Sequence, residues 1–146
     1  MPGVTDPAEA YFKDGQWGWD GTVWRKLPMV WGYSERWAEH EENLTPGAGV
    51  ISLSFDQVGS GYIYVLQAAD GWNVATDPSR IQFQVEGNGI TVRLAHTVTP
   101  GLGIPAFWTG EVVLEEDDKL VVRFYGTVSG DDLHANAWGY KMKIAE

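Results

Sequence analysis

From Gly49 onward, apolar and polar positions alternate with period two. In "GVISLSFD", Ile51, Leu53 and Phe55 fall on one face, and Ser52, Ser54 and Asp56 on the other. In "RIQFQVEGNGITVRLAH", Ile81, Phe83 and Val85 share a face while Gln82, Gln84 and Glu86 share its opposite. Alternation resumes at Ile90, Val92 and Leu94 after Gly87-Asn88-Gly89, residues that tolerate positive φ, so the run predicts a β-hairpin. "YIYVLQAAD" (62–70) is a fuller apolar run and predicts a buried strand. "WTGEVVLEEDDKLVVRFYG" predicts two strands around the acidic turn Glu115 to Asp118, and a last strand runs from about Leu133 to Ile144. A first strand is placed at about Met29 to Trp37, ahead of an acidic, Pro/Gly-containing loop, "EHEENLTPGAG".

About eight strands joined by short polar turns, with no amphipathic helix, predict an all-β fold: an antiparallel β-sandwich, jelly-roll-like in plan. Uneven strand spacing and the lack of a blade-length repeat weigh against a barrel or propeller. The N-terminal stretch "YFKDGQWGWDGTVWRKL" reads differently. Its two Asp-Gly pairs, Asp14-Gly15 and Asp20-Gly21, sit among aromatic residues and predict tight turns in a short β-ribbon. The chain thus divides into an arm and attachment ribbon over 1–27 and a sandwich over 28–146.

The tripeptide Trp-Gly-Tyr occurs twice, at 31–33 and 138–140. If these segments lie antiparallel with Gly32 opposite Gly139, then Trp31 faces Tyr140 and Tyr33 faces Trp138. All four rings then stand on one face as an aromatic seam. The glycines fall on the other face, where something can approach closely. First and last strands lie side by side in a jelly roll, which favours this pairing over a duplicated binding repeat.

Composition narrows the function. A chain of 146 residues is long enough for one self-sufficient core. It has no cysteine, which removes disulfide and thiolate chemistry. The opening "MPGVTDPAEA" predicts no secretion signal, and no apolar run nears the roughly 20 residues a membrane helix needs, so no membrane insertion is expected. A formal charge of −10 opposes binding to nucleic acid.

Catalytic chemistry finds little footing. His40, His96 and His134 are far apart and show no His-x-His or His-x-x-x-His spacing, so neither a metal site nor another cofactor is expected. Asp132 and His134 share a face and could polarise a water; a turn residue followed by a strand residue is the simpler reading. The carboxylates at Glu41-Glu42, Glu115 to Asp118 and Asp131-Asp132 fall in predicted turns, solvated and near ordinary pKa, rather than paired across a cleft as glycoside hydrolysis requires. No Gly-x-Ser-x-Gly, phosphate loop or dinucleotide fingerprint occurs, and no catalytic residue is assigned. Eight tryptophans leave sugar stacking open, with Trp72 and Trp108 as candidates at loop or strand edges.

"WGWDGTVWRKLPMVWGYSERWAE" resembles segments of tailed-bacteriophage virion proteins, in which a DG-x-x-W-x-K-L unit leads into a β-sandwich. Asp20, Gly21, Trp24, Lys26 and Leu27 occupy that pattern. "WTGEVVLEEDDKLVVRFYG" is similar to the jelly-roll phrase W-x-G-x-x-x-L-x-x-G-D-x-L through Trp108, Gly110, Leu114, Asp118 and Leu120, with Asp117 where the phrase has Gly. The resemblance covers about a third of the chain. It implies a non-enzymatic virion protein, assembled in the host cytoplasm and exposed as a capsid decoration, head fibre or tail component. It also implies a homo-oligomer, typically a trimer, in contact with a capsid or tail protein. Trp17, Trp19, Trp24 and Leu27 are then the expected attachment and oligomer contacts. The alternative is a carbohydrate-binding module or receptor-binding tip that stacks aromatic rings on host-surface glycan.

Overall fold

The computed structural model describes residues 35–98 and 100–144, together with the backbone of 17–19 and 24–26. Every regular element among them is a strand. The ribbon forms as expected: β1 (Trp17–Trp19) pairs antiparallel with β2 (Trp24–Lys26), Trp19 opposite Trp24, on either side of Asp20-Gly21. The side chains proposed for attachment, Trp17, Trp19, Trp24 and Leu27, lie outside the described side chains.

Eight strands follow: β3 (Glu35–Asn43), β4 (Gly49–Ser54), β5 (Tyr62–Asn73), β6 (Arg80–Gly87), β7 (Ile90–Val98), β8 (Ala106–Leu114), β9 (Lys119–Thr127) and β10 (Leu133–Lys143). They form two antiparallel four-stranded sheets, in the orders β3-β10-β5-β8 and β4-β9-β6-β7. The chain changes sheet at nearly every connection, and its first and last sandwich strands are neighbours. That is the double Greek-key plan of a jelly roll.

The period-two pattern explains the layers. Ile81 and Phe83 of β6, Leu120, Val122 and Phe124 of β9, and Leu53 of β4 point inward from one sheet. Leu66 and Ala69 of β5, Leu114 of β8, and Leu133, Ala135 and Ala137 of β10 meet them from the other. Each fully buried large side chain contributes on the order of 1.5–3 kcal/mol, which makes this layer the main source of stability. The β6–β7 hairpin turns through Asn88 (φ 49°) and Gly89 (φ 76°), both left-handed, as a two-residue type I′ turn requires.

Two expectations are corrected. The first sandwich strand continues to Asn43 rather than ending at about Trp37, so "EHEEN" is strand and not loop, while 29–34 lie outside the described residues. β3 lies at the edge of its sheet, where one flank is solvent and charged side chains are tolerated on both faces. The seam register is also displaced. β10 does pair with the first sandwich strand, but Gly139 stands opposite Trp37, Trp138 opposite Ala38 and Tyr140 opposite Arg36. Trp31 and Tyr33 lie outside the described residues. The reason for the displaced register is packing. Trp37 is the ring that β3 buries, against Tyr64 at 5.0 Å between centroids, and its indole N–H donates to Glu39 at 2.8 Å.

The close approach expected at a glycine does occur, from within the sheet. The β10–β5 ladder shifts register between Trp138 and Gly139, leaving Gln67 of β5 without an opposite residue. A Cβ on Gly139 would lie 1.9 Å from the Val65 carbonyl oxygen.

Candidate functional site

The outer face of the β3-β10-β5-β8 sheet gathers the chain's polar chemistry. Register places Glu42 opposite His134, and His40 opposite Asn136, across the β3–β10 pair. Across the β10–β5 pair, His134 stands opposite Trp72 and Asn136 opposite Asp70. Residues two apart on a strand share a face, so His40, Glu42, His134, Asn136, Asp70 and Trp72 all stand on the same side.

Their contacts form a connected set. The Trp72 and His134 rings stack at 5.0 Å with 14° between planes, and His40 lies against His134 at 5.4 Å. Asp70 is buried, and its Oδ1 accepts from the Asn136 backbone N–H at 3.1 Å and side-chain Nδ2 at 3.0 Å. Burial pushes the Asp70 carboxyl above its ordinary value, and the two Asn136 hydrogen bonds oppose that rise without cancelling it. With its NH2 group committed to Asp70, Asn136 turns its Oδ1 to His40 Nδ1 at 2.7 Å. That nitrogen must carry the proton, which leaves the lone pair of His40 on Nε2.

On the other side, His134 Nε2 lies 2.7 Å from Asp132 Oδ1. This oxygen is shielded from solvent and accepts no well-aligned hydrogen bond, so the contact is chiefly electrostatic. His134 Nδ1 lies 3.4 Å from His40 Nε2 and can donate a proton to that lone pair, so the two rings are linked directly. The pairing of Asp132 with His134 was legible in their spacing. His40 and Glu42 were missed because their strand reads as a loop, although the His40-x-Glu42 spacing was the signal for one face of a strand. Among the described residues, His96 stands apart, exposed on β7 of the other sheet.

The carboxylate clusters separate into different environments. Glu41-Glu42 is in strand β3, and burial, with Asp56 and Glu39 nearby, raises the Glu41 carboxyl. Asp131 sits in the turn before β10 as expected, but it is buried rather than solvated. Burial alone would raise its carboxyl. Bonds from the Thr76 hydroxyl, the Val128 N–H at 2.7 Å and Asn73 Nδ2 at 2.9 Å outweigh that and hold it below its ordinary value. This group ties the β5 end, the following loop and the β9–β10 turn together.

The two proposed stacking tryptophans fare differently. Trp72 is the next-to-last residue of β5, and one face of its ring is covered by His134. Trp108 of β8 turns toward the core, opposite Ala69, with its ring over the position where Gly110 has no Cβ. Part of its ring is therefore taken up by packing against the core. Trp138 and Tyr140 share the outer face of β10.

A second surface feature lies on the opposite flank, where β7 and β8 are the free edges of the two sheets. Large apolar side chains are exposed there along β7 (Ile90, Val92, Val98), the connecting loop (Leu102, Ile104) and β8 (Phe107, Val113). A groove of about 380 Å³ between the edges is lined by Ile90, Val92, Leu94, Val112 and Val113. No protein-family model matches the chain, and a comparison with curated proteins finds no significant match.

Proposed function

We propose that this chain is a non-enzymatic structural protein of a tailed-bacteriophage particle, a jelly-roll subunit that assembles with copies of itself, expected as a trimer. In this reading it is displayed on the particle as a capsid decoration, head fibre or tail component. The observation that carries the proposal is the β7–β8 flank. Seven of the twelve exposed large apolar side chains among the described residues lie on it, with Ile90 at 64% and Val98 at 65% exposure. Free strand edges combined with exposed apolar side chains invite pairing with another chain, and a protein that keeps such a flank gains by covering it. Binding would then be burial of apolar surface between subunits, with no chemical turnover.

The resemblance to virion proteins gains physical support at Asp117. Its φ of 70° is the left-handed conformation that the glycine of the similar phrase would supply. The phrase thus describes the β8–β9 turn despite the substitution.

The test is solution mass by light scattering, for the wild type and for an Ile90→Glu/Val98→Glu double variant. A wild-type mass near three times 16.2 kDa, falling to a monomer with an unchanged circular dichroism spectrum in the variant, is the expected result. A monomeric wild type, or a variant that assembles as well as the wild type, would overturn it. The glycan reading rests first on Trp72, since part of the Trp108 ring is taken up by packing against the core. A tryptophan fluorescence shift on titration with host polysaccharide that disappears in Trp72→Ala would favour it.

A further inference from the structure

We infer that His40, Glu42 and His134 form a zinc-type metal site on the outer face of the β3-β10-β5-β8 sheet. Strand register brings the three together. His40 and Glu42 are two apart on β3, and His134 is the cross-strand partner of Glu42. Their potential ligand atoms all lie within 4.8 Å of one another.

The separations are those of a coordination triangle. His40 Nε2 and His134 Nδ1 are 3.4 Å apart, and Glu42 Oε2 is 3.6 Å from each. The point equidistant from the three atoms lies about 2.0 Å from each, the circumradius of that triangle. Zinc–imidazole bonds are about 2.0–2.1 Å and zinc–carboxylate bonds about 2.0–2.2 Å. An ion near that point meets all three ligands without movement of the backbone.

The protonation pattern points the same way. Asn136 fixes the proton of His40 on Nδ1 and so leaves its Nε2 lone pair free to meet an ion. His134 Nδ1 and the Glu42 carboxylate both lie beside that lone pair. A proton shared between the two rings is displaced when an ion enters, since ligating imidazoles bind through a bare nitrogen. A metal-bound histidine whose other nitrogen faces a carboxylate or amide oxygen is the usual outer arrangement of a protein zinc site. Here Asp132 supports His134, while Asp70 acts through Asn136 on His40. Trp72 covers one face of the His134 ring. The Glu42 and His40 side chains are half exposed, so a fourth coordination position opens to solvent, where a water or a donor atom from another molecule completes a tetrahedron.

The experiment is calorimetric titration of the tag-free full chain with Zn2+, and in parallel with Co2+, followed by visible absorption. One ion should bind per chain, with micromolar or tighter affinity, and Co2+ should give the intense bands of tetrahedral coordination. His40→Ala and His134→Ala should abolish both signals, and Glu42→Gln should weaken binding. Asp132→Asn, a positioning change, should weaken it about 10- to 100-fold while retaining the Co2+ spectrum. His96→Ala should bind as the wild type does. If His134→Ala fails to fold, the half-exposed His40→Ala and Glu42→Gln variants decide. No binding at one equivalent overturns the site, as does binding that survives His40→Ala and Glu42→Gln, or an octahedral Co2+ spectrum from carboxylates elsewhere.

Discussion

At the scale of single residues, Gly139 and Asp131 constrain the fold in opposite ways. Gly139 is required by what it lacks: a Cβ there would drive into the Val65 carbonyl, a backbone atom that cannot swing aside. Gly139→Ala should cost about 1–3 kcal/mol, the range for overpacking, seen as a lower urea midpoint with an unchanged slope. Asp131 is required by its charge. Because its folded carboxyl titrates below the ordinary value of 3.8, its contribution to stability is complete above that pH. It is lost as pH falls through the depressed folded value. Asp131→Asn should therefore be less stable than wild type at neutral pH, by roughly 1.5–3 kcal/mol for hydrogen bonds to a charged group. The gap should close in acid below the ordinary carboxyl value, as measured by denaturation at a series of pH values.

At the scale of elements, the β8–β9 turn shows how a local rule survives a substitution. The Asp118 N–H donates to the Glu115 carbonyl at 3.0 Å, its carboxylate accepts from the Glu115 N–H at 2.9 Å, and Asp117 takes the left-handed position between. Asp117→Gly should relieve the left-handed strain and one charge of an acidic cluster. A thermal midpoint equal to or above that of the wild type is expected, with Asp117→Val falling below both. Seven of the eight sandwich strands were legible because Ile51/Leu53, Ile81/Phe83 and their counterparts alternate cleanly with polar residues. β3 was illegible for a physical reason: Glu39 and Glu41 on one face and His40 and Glu42 on the other erase the contrast that marks a buried face. With β3 hidden, so was the candidate site, since His40 and His134 are 94 positions apart and only strand pairing joins them. The Trp-Gly-Tyr echo suggested the right strand neighbours in the wrong register, because the buried Trp37 outweighs a match between tripeptides.

At the scale of the whole molecule, charge and apolar surface act against each other. The chain carries −10, so copies repel at long range, while in the proposed assembly the exposed apolar side chains of the β7–β8 flank would hold them at contact. Raising salt from about 0.01 M to 0.15 M shortens the screening length from about 30 Å to 8 Å. Association through the flank should therefore strengthen with salt, as read by sedimentation at fixed protein concentration. Association that weakens with salt would point to an ionic contact instead. The neighbouring placement of β3 and β10 also bears on time. The β6–β7 hairpin closes over two turn residues and can form in microseconds. The β3–β10 ladder must wait for segments some 94 positions apart to meet, giving up the entropy of a long loop before any contact rewards it. Refolding of the isolated chain should accordingly fall in the millisecond-to-second range, with the strand that carries His40 among the last to gain protection from hydrogen exchange.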